Sequence, residues 1–185
     1  DWSSDVCSSD LIAARFGSEA AGLLAMALRM IGAPMSLVST SVLDVFKRHS
    51  AQAYRDRGEC RAEYIHSLGL LFLVAAFASV GVGLCAKYFF VVLFGEAWAG
   101  AGLIALLLLP RFALGFMASP LSYIVYVVGK QHMDLIWQLT LLGLTLVALL
   151  LPLSFHKNLL IYSIGYGTLY VLYLWMSYRF SGGEK

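Results

Sequence analysis

The sequence predicts an all-α, polytopic helical membrane protein, and three observations carry that prediction. Of its 185 residues, 60% are hydrophobic and only 13% are charged, with a mean hydropathy of +0.78. Uninterrupted apolar runs recur at about the 20 residues a helix needs to cross the hydrocarbon core. One long polar interval, residues 44–63, stands between two such runs and holds five of the thirteen Lys and Arg residues. A water-soluble domain of this size needs far more polar surface than the composition supplies.

Taken in order, the first eleven residues stand apart from the rest. Residues 1–11 read Asp-Trp-Ser-Ser-Asp-Val-Cys-Ser-Ser-Asp-Leu, which resembles the conceptual translation of a common sequencing-library adapter. They are expected to be an adapter-derived artefact and are set aside from fold reasoning, with the expectation that a native N-terminal portion precedes Ile12. Residues 12–185 are then a C-terminal transmembrane region, with spans expected at about 20–46, 67–86, 103–128, 135–153 and 159–178. Pro34 is expected to kink the first span, and Pro110 and Pro120 to distort the third, because proline removes a backbone donor and crowds the preceding turn. Residues 44–63 read as a basic loop, 94–102 as a Gly-rich turn carrying Trp98, and Gly129-Lys130-Gln131-His132 as a tight polar turn.

Charge sets the expected orientation. Segments rich in Lys and Arg are retained on the cytoplasmic side. If the 44–63 loop is inside, so are residues 129–132 and the C-terminus. That side then holds eight Lys and Arg (Lys47, Arg48, Arg55, Arg57, Arg61, Lys130, Arg179, Lys185) against Arg15, Lys87 and Lys157 on the other. Four acidic residues offset the charge of the 44–63 segment, which argues against a nucleic-acid patch. Outside 1–11, Cys60 and Cys85 suggest neither a disulfide framework nor a metal site. His49, His66, His132 and His156 lie near span ends without metal-ligand spacing, so no metal or cofactor is expected. No nucleophile elbow, phosphate loop or dinucleotide fingerprint appears, and the chain is not expected to be an enzyme.

The residues that are costly in a bilayer are Arg29 and Arg111. Each lies within an expected span, about eight residues or ~12 Å from its outer end. An Arg near the bilayer centre costs about 2.5–3.5 kcal/mol on insertion scales, so it faces a cavity or a partner, or snorkels to the headgroups. Helical spacing puts Arg29, Ala33, Ser36, Thr40, Asp44 and Lys47 on one arc; Arg111, Gly115, Ala118 and Ser122 share another, and Asp134, Gln138 and Thr145 a third. Helix packing uses small and polar faces too. Tyr162, Tyr166, Tyr170 and Tyr173 line one side of the last span and are expected to pack or anchor rather than to stack on sugars.

The segments Ala27-Leu28-Arg29-Met30-Ile31-Gly32-Ala33-Pro34 and Val42-Leu43-Asp44-Val45-Phe46 resemble the polysaccharide transporter family within the multidrug/oligosaccharidyl-lipid/polysaccharide exporter superfamily, the O-antigen and exopolysaccharide flippases. Phe94-Gly95-Glu96-Ala97-Trp98-Ala99-Gly100-Ala101-Gly102 is similar to that family's Phe-Gly-x-x-Trp-x-x-Ala-Gly turn. Gly129-Lys130-Gln131 resembles its Gly-Arg/Lys-Gln turn. The resemblance covers nearly all of residues 12–185. It implies that the five spans form most of the second lobe of a two-lobed, twelve-helix transporter of the bacterial inner membrane, whose partner is the missing N-terminal lobe. It also implies flipping of an undecaprenyl pyrophosphate-linked oligosaccharide. On that reading Arg29 and Arg111, with Ser36, Thr40 and Gln138, are expected to bind the substrate, and Asp44 and Lys47 to form the cytoplasmic mouth. The competing expectations are a multidrug extruder of the same superfamily and part of a membrane-embedded glycan polymerase or ligase.

Overall fold

The computed structural model describes residues 10–182, which form helices joined by short connections, without a strand. Most of the adapter-like stretch, and Lys185, lie outside the described residues. A short helix, α1 (10–16), leads through Gly17 into α2 (Ser18–Arg57). Then follow α3 (Arg61–Phe94), a 3₁₀ turn at Glu96–Trp98, α4 (Ala99–Leu107), α5 (Leu109–Leu121), α6 (Ile124–Val127), α7 (Gln131–Leu150) and α8 (Phe155–Ser181). Four helices (α2, α3, α7 and α8) are long and apolar enough to cross a membrane, and a fifth span forms if the bent pair Glu96–Leu107 and Leu109–Val127 counts as one. The chain is a multi-pass α-helical membrane protein.

The 44–63 segment is not a loop. α2 is 40 residues long, about 60 Å at 1.5 Å per residue, against a hydrocarbon core of about 30 Å. Its polar third therefore continues as helix beyond the apolar zone, and α3 resumes at Arg61. The physical reason is that polarity does not end a helix. From Asp44 to Arg57 no residue is Gly or Pro, and the helix stops where Gly58 adopts φ +72° and donates its N–H to the Tyr54 carbonyl, a left-handed cap that glycine takes without steric cost. At Pro34 α2 continues as helix without interruption. The third span, where proline was expected to distort the helix, is broken. There α4 and α5 meet at Leu108 with a 56° bend, and Pro110, in the first turn of α5, has no N–H to continue the α4 ladder.

α5 and α8 form the centre, in more extensive contact than any other pair. α2, α3 and α4 pack on one side of them, and α7 lies against α8 on the other. α3 is apolar all round and leaves Phe72, Phe77, Leu84, Tyr88 and Val92 exposed, a surface that hydrocarbon covers at no cost and water would not. α4 meets α3 closely at Gly102, where a Cβ would stand 2.9 Å from the Lys87 Cα. Helix ends cluster in two groups. At one end the Arg15 guanidinium donates to the Leu149 carbonyl (2.6 Å) and to that of Leu151, and Asn158 joins it on the same two carbonyls. A cation there suits the negative end of α7.

At the other end the α2–α3 turn docks on the end of α8. Cys60 N–H donates to the Ser181 carbonyl at 2.9 Å. The Arg61 guanidinium lies 4.4 Å from the Tyr178 ring centre and donates to its hydroxyl, while Arg57 pairs with Glu63 across the turn. Lys130, from the α6–α7 turn, sits 4.7 Å over the Phe180 ring. Residues 44–63, 129–132 and the end of α8 thus gather at one end of the bundle. Burial, reinforced by the Glu63 and Glu59 carboxylates, pushes the Cys60 thiol up to about 11. At pH 8 only about one thiol in a thousand is then thiolate, against about one in ten at the ordinary value of 9.0. Maleimide labelling of Cys60 at pH 8 is expected to be about 100-fold slower in the folded protein than in SDS, where the site is opened. The sign follows from the raised value. The protonated thiol is favoured by the fold, so its contribution to stability is complete below the unfolded pKa and is lost as pH rises through about 11.

Candidate polar groove

The bend at Leu108 puts Arg111 in the first turn of α5, pointing into the packed interior. It is 5% exposed. Its guanidinium carbon lies 5.1 Å from the Tyr166 ring centre, 5.5 Å from that of Tyr162 and 5.4 Å from that of Phe112. Aromatic faces stabilise a cation where water is scarce. Tyr166 is itself held, its hydroxyl 2.7 Å from that of Thr145 and 3.3 Å from the Leu141 carbonyl. The four tyrosines expected to pack do so: Tyr162, Tyr166, Tyr170 and Tyr173 are all buried, with the rings of the first three in sequential contact.

Arg111 borders a cleft of about 170 Å³ between α2, α5 and α8, lined also by Ser36, Ser39, Gly115, Ser119 and Tyr170. It adjoins a second cleft of about 210 Å³ between α5, α6, α7 and α8, which shares Gly115, Ser119 and Tyr170 and adds Ser122, Tyr126, Asp134, Trp137, Gln138 and Tyr173. The two form one polar groove along α5. Gly115 keeps it open, because a Cβ there would stand 3.1 Å from the Tyr170 ring. The Asp134 carboxylate lies in the first turn of α7, where the helix dipole favours negative charge. It accepts hydrogen bonds from the Tyr126 hydroxyl (2.8 Å) and the Tyr173 hydroxyl (3.3 Å).

A third cleft, apolar and about 360 Å³, lies between α2 and α3 beneath α4 and α5. It is lined by residues such as Met30, Pro34, Val38, Val82 and Phe89, and it shares Met35 and Phe116 with the Arg111 cleft. An oily trough therefore runs into a polar groove that opens on a buried guanidinium.

The structure brings together some of the residues singled out by sequence and separates others. Ser36 and Arg111 line one cleft, and Gln138 lines the next. Arg29, Thr40 and Asp44 are exposed along α2 and line none of these clefts. Arg29 lies on the side of α2 away from Leu24, Ala27 and Ile31, the residues that α2 buries, so it does not share the Arg111 cavity within this chain. Lys47 is partly buried, 3.9 Å from Asp44 and 5.3 Å over the Tyr123 ring. Tyr123 stacks on Tyr126, which places Lys47 on the rim of the groove at its Asp134 end. Thr145 lies instead in the packed interior. Trp137 went unnoticed in the sequence, although Asp134, Trp137 and Gln138 have the spacing of three and four that puts side chains on one helix face. Among the described residues no group of His, Cys, Asp or Glu could hold a metal ion.

The profile of a family described as polysaccharide biosynthesis protein matches residues 1–102, just over half of the 185 residues. The match takes in the adapter-like stretch and ends at Gly102, before Arg111 and Gln138. No curated protein and no solved structure matches the chain. The protein belongs to the polysaccharide biosynthesis protein family.

Proposed function

We propose that the protein translocates a lipid-linked oligosaccharide, an isoprenoid carrying sugars on a pyrophosphate, from the cytoplasmic to the outer leaflet of the bacterial inner membrane. The observation that carries the reading is the buried Arg111 in a polar groove that continues into an apolar trough through Met35 and Phe116. Such a ligand has an anionic, hydroxyl-rich head and a hydrocarbon tail. Guanidinium suits the pyrophosphate, since it is permanently charged and presents paired donors to paired oxygens. The tail meets only carbon in the trough and the bilayer. The reading assigns the chain passage and not bond chemistry, with an opposing lobe of the same transporter closing the open side of α2 and α5. Arg29, Ser36 and Thr40 on the exposed α2 stripe then face the path, and Lys47 and Asp44 stand at its cytoplasmic mouth.

The test is reconstitution of the full protein in liposomes with a fluorescent prenyl-pyrophosphate disaccharide, reading the fraction protected from a membrane-impermeant quencher. Translocation at least tenfold above empty liposomes is expected. No acceleration of this lipid, with uptake of a cationic dye instead, would overturn the reading in favour of drug extrusion.

A further inference from the structure

We propose that the cleft between α5, α6, α7 and α8 is a sugar subsite that takes a single pyranose ring against Trp137, with Asp134 and Gln138 bonding its hydroxyls. The inference rests on the groove being the substrate's path and adds a division of labour along it: phosphate at Arg111, sugar at Asp134.

A pyranose ring has apolar C–H faces and a rim of hydroxyls, so it fits an aromatic wall edged by polar groups. This cleft has that composition. The indole of Trp137 is partly buried and lies beside two tyrosines, parallel to neither. Its ring centre is 4.6 Å from that of Tyr173 at 52° and 6.5 Å from that of Tyr170 at 45°. Asp134 is fixed by the Tyr126 and Tyr173 hydroxyls, one bond to each carboxylate oxygen, and a carboxylate accepts about four. Capacity for hydroxyl donors therefore remains on a group already held in place. Gln138, one helical turn on, supplies both a donor and an acceptor.

Charge and size restrict what enters. Among the described residues Asp134 is the only charged one in the wall of this cleft, with Lys47 at its rim; the carboxylate repels a phosphate, whereas a neutral hydroxyl donates to it. The cleft's 210 Å³ is below the roughly 300–1,000 Å³ of sites that enclose a drug-sized ligand, which suits one ring and not a whole oligosaccharide. The shared wall of Gly115, Ser119 and Tyr170 connects it to the cation.

The experiment uses the full protein in nanodiscs with two kinds of probe. One is a panel of methyl glycosides of glucose, galactose and N-acetylglucosamine, followed by saturation transfer to their ring protons. The other is farnesyl pyrophosphate, which has no sugar, followed by its phosphorus line width. At least one glycoside is expected to receive saturation, at least fivefold less in Trp137→Leu and in Gln138→Leu and nearly undiminished in Trp137→Phe. Farnesyl pyrophosphate is expected to bind all three variants as it binds the parent. Gln138 is exposed, so its replacement tests the subsite even if Trp137→Leu fails to fold. No transfer to any glycoside, or transfer unchanged in Gln138→Leu and Trp137→Leu, would overturn the subsite while intact pyrophosphate binding left the Arg111 reading standing. Sugar transfer that depends on Trp137, in a protein that ignores farnesyl pyrophosphate, would instead keep the subsite and remove phosphate binding at Arg111.

Discussion

Replacing Arg111 with alanine is expected to lower translocation of the lipid-linked glycan by about 100-fold or more, the largest functional effect of any single change in the groove. A hydrogen bond to a charged group is worth about 1.5–3 kcal/mol, and each 1.4 kcal/mol is tenfold, so loss of a two-pronged contact to a pyrophosphate spans that range. Alanine also strips the packing between the Phe112, Tyr162 and Tyr166 rings that surround the guanidinium, so reduced activity alone does not separate binding from folding. Arg111→Lys does. It keeps the charge over the rings but presents a point donor instead of a planar fork, and about tenfold slower translocation is expected with an unchanged elution profile in detergent. If lysine and alanine variants both fold and translocate at the parent rate, Arg111 serves packing alone.

The contrast between Arg111 and Arg29 shows how far the sequence reaches. Both are costly in a bilayer for the same reason, and spacing alone puts each on a helix face with small and polar neighbours. What separates them is tertiary. α5 is central and turns its Arg inward, whereas α2 packs through Leu24, Ala27 and Ile31 and leaves Arg29 on the other side. No local pattern encodes which side of α2 meets α5. The spans themselves were legible because a run of about 20 apolar residues has few alternatives. The 44–63 helix extension was not, because loss of hydrophobicity marks where a helix leaves the membrane and not where it ends. Gly58 was the better marker of the end. Trp137 was hidden for a related reason: an aromatic ring within a span reads as packing until the neighbours that leave it beside a cleft are known.

Gly102→Val is expected to be the most destabilising single substitution in the bundle. A Cβ at 102 would stand 2.9 Å from the Lys87 Cα, 3.1 Å from its nitrogen and 3.2 Å from the Ala86 carbonyl carbon. These are backbone atoms of α3, so no side chain can swing aside and the helices must separate. Overpacking of this kind costs about 1–3 kcal/mol for small additions, and a branched side chain against a backbone lies at or above the upper end. The expected readout is a large fall in the SDS concentration that unfolds the protein and loss of the monodisperse fraction in detergent. Two residues earlier, Gly100 provides the control. A Cβ there would meet only the Leu23 side chain, Cδ1 at 3.1 Å and Cδ2 at 3.9 Å, the end of a flexible side chain, so Gly100→Ala is expected to change little. Equal tolerance of both substitutions would mean that α3 leaves room for a side chain at position 102. This difference also gives the final Gly of the Phe-Gly-x-x-Trp-x-x-Ala-Gly stretch a physical role. Gly95, at φ +89°, turns the chain out of α3, Trp98 packs on Phe94 with ring centres 6.2 Å apart, and Ala101 is fully buried. Gly102 then lets α4 lie against the helix it has just left. From that position the bend at Leu108 carries Arg111 into the groove, so this glycine supports the groove without lining it.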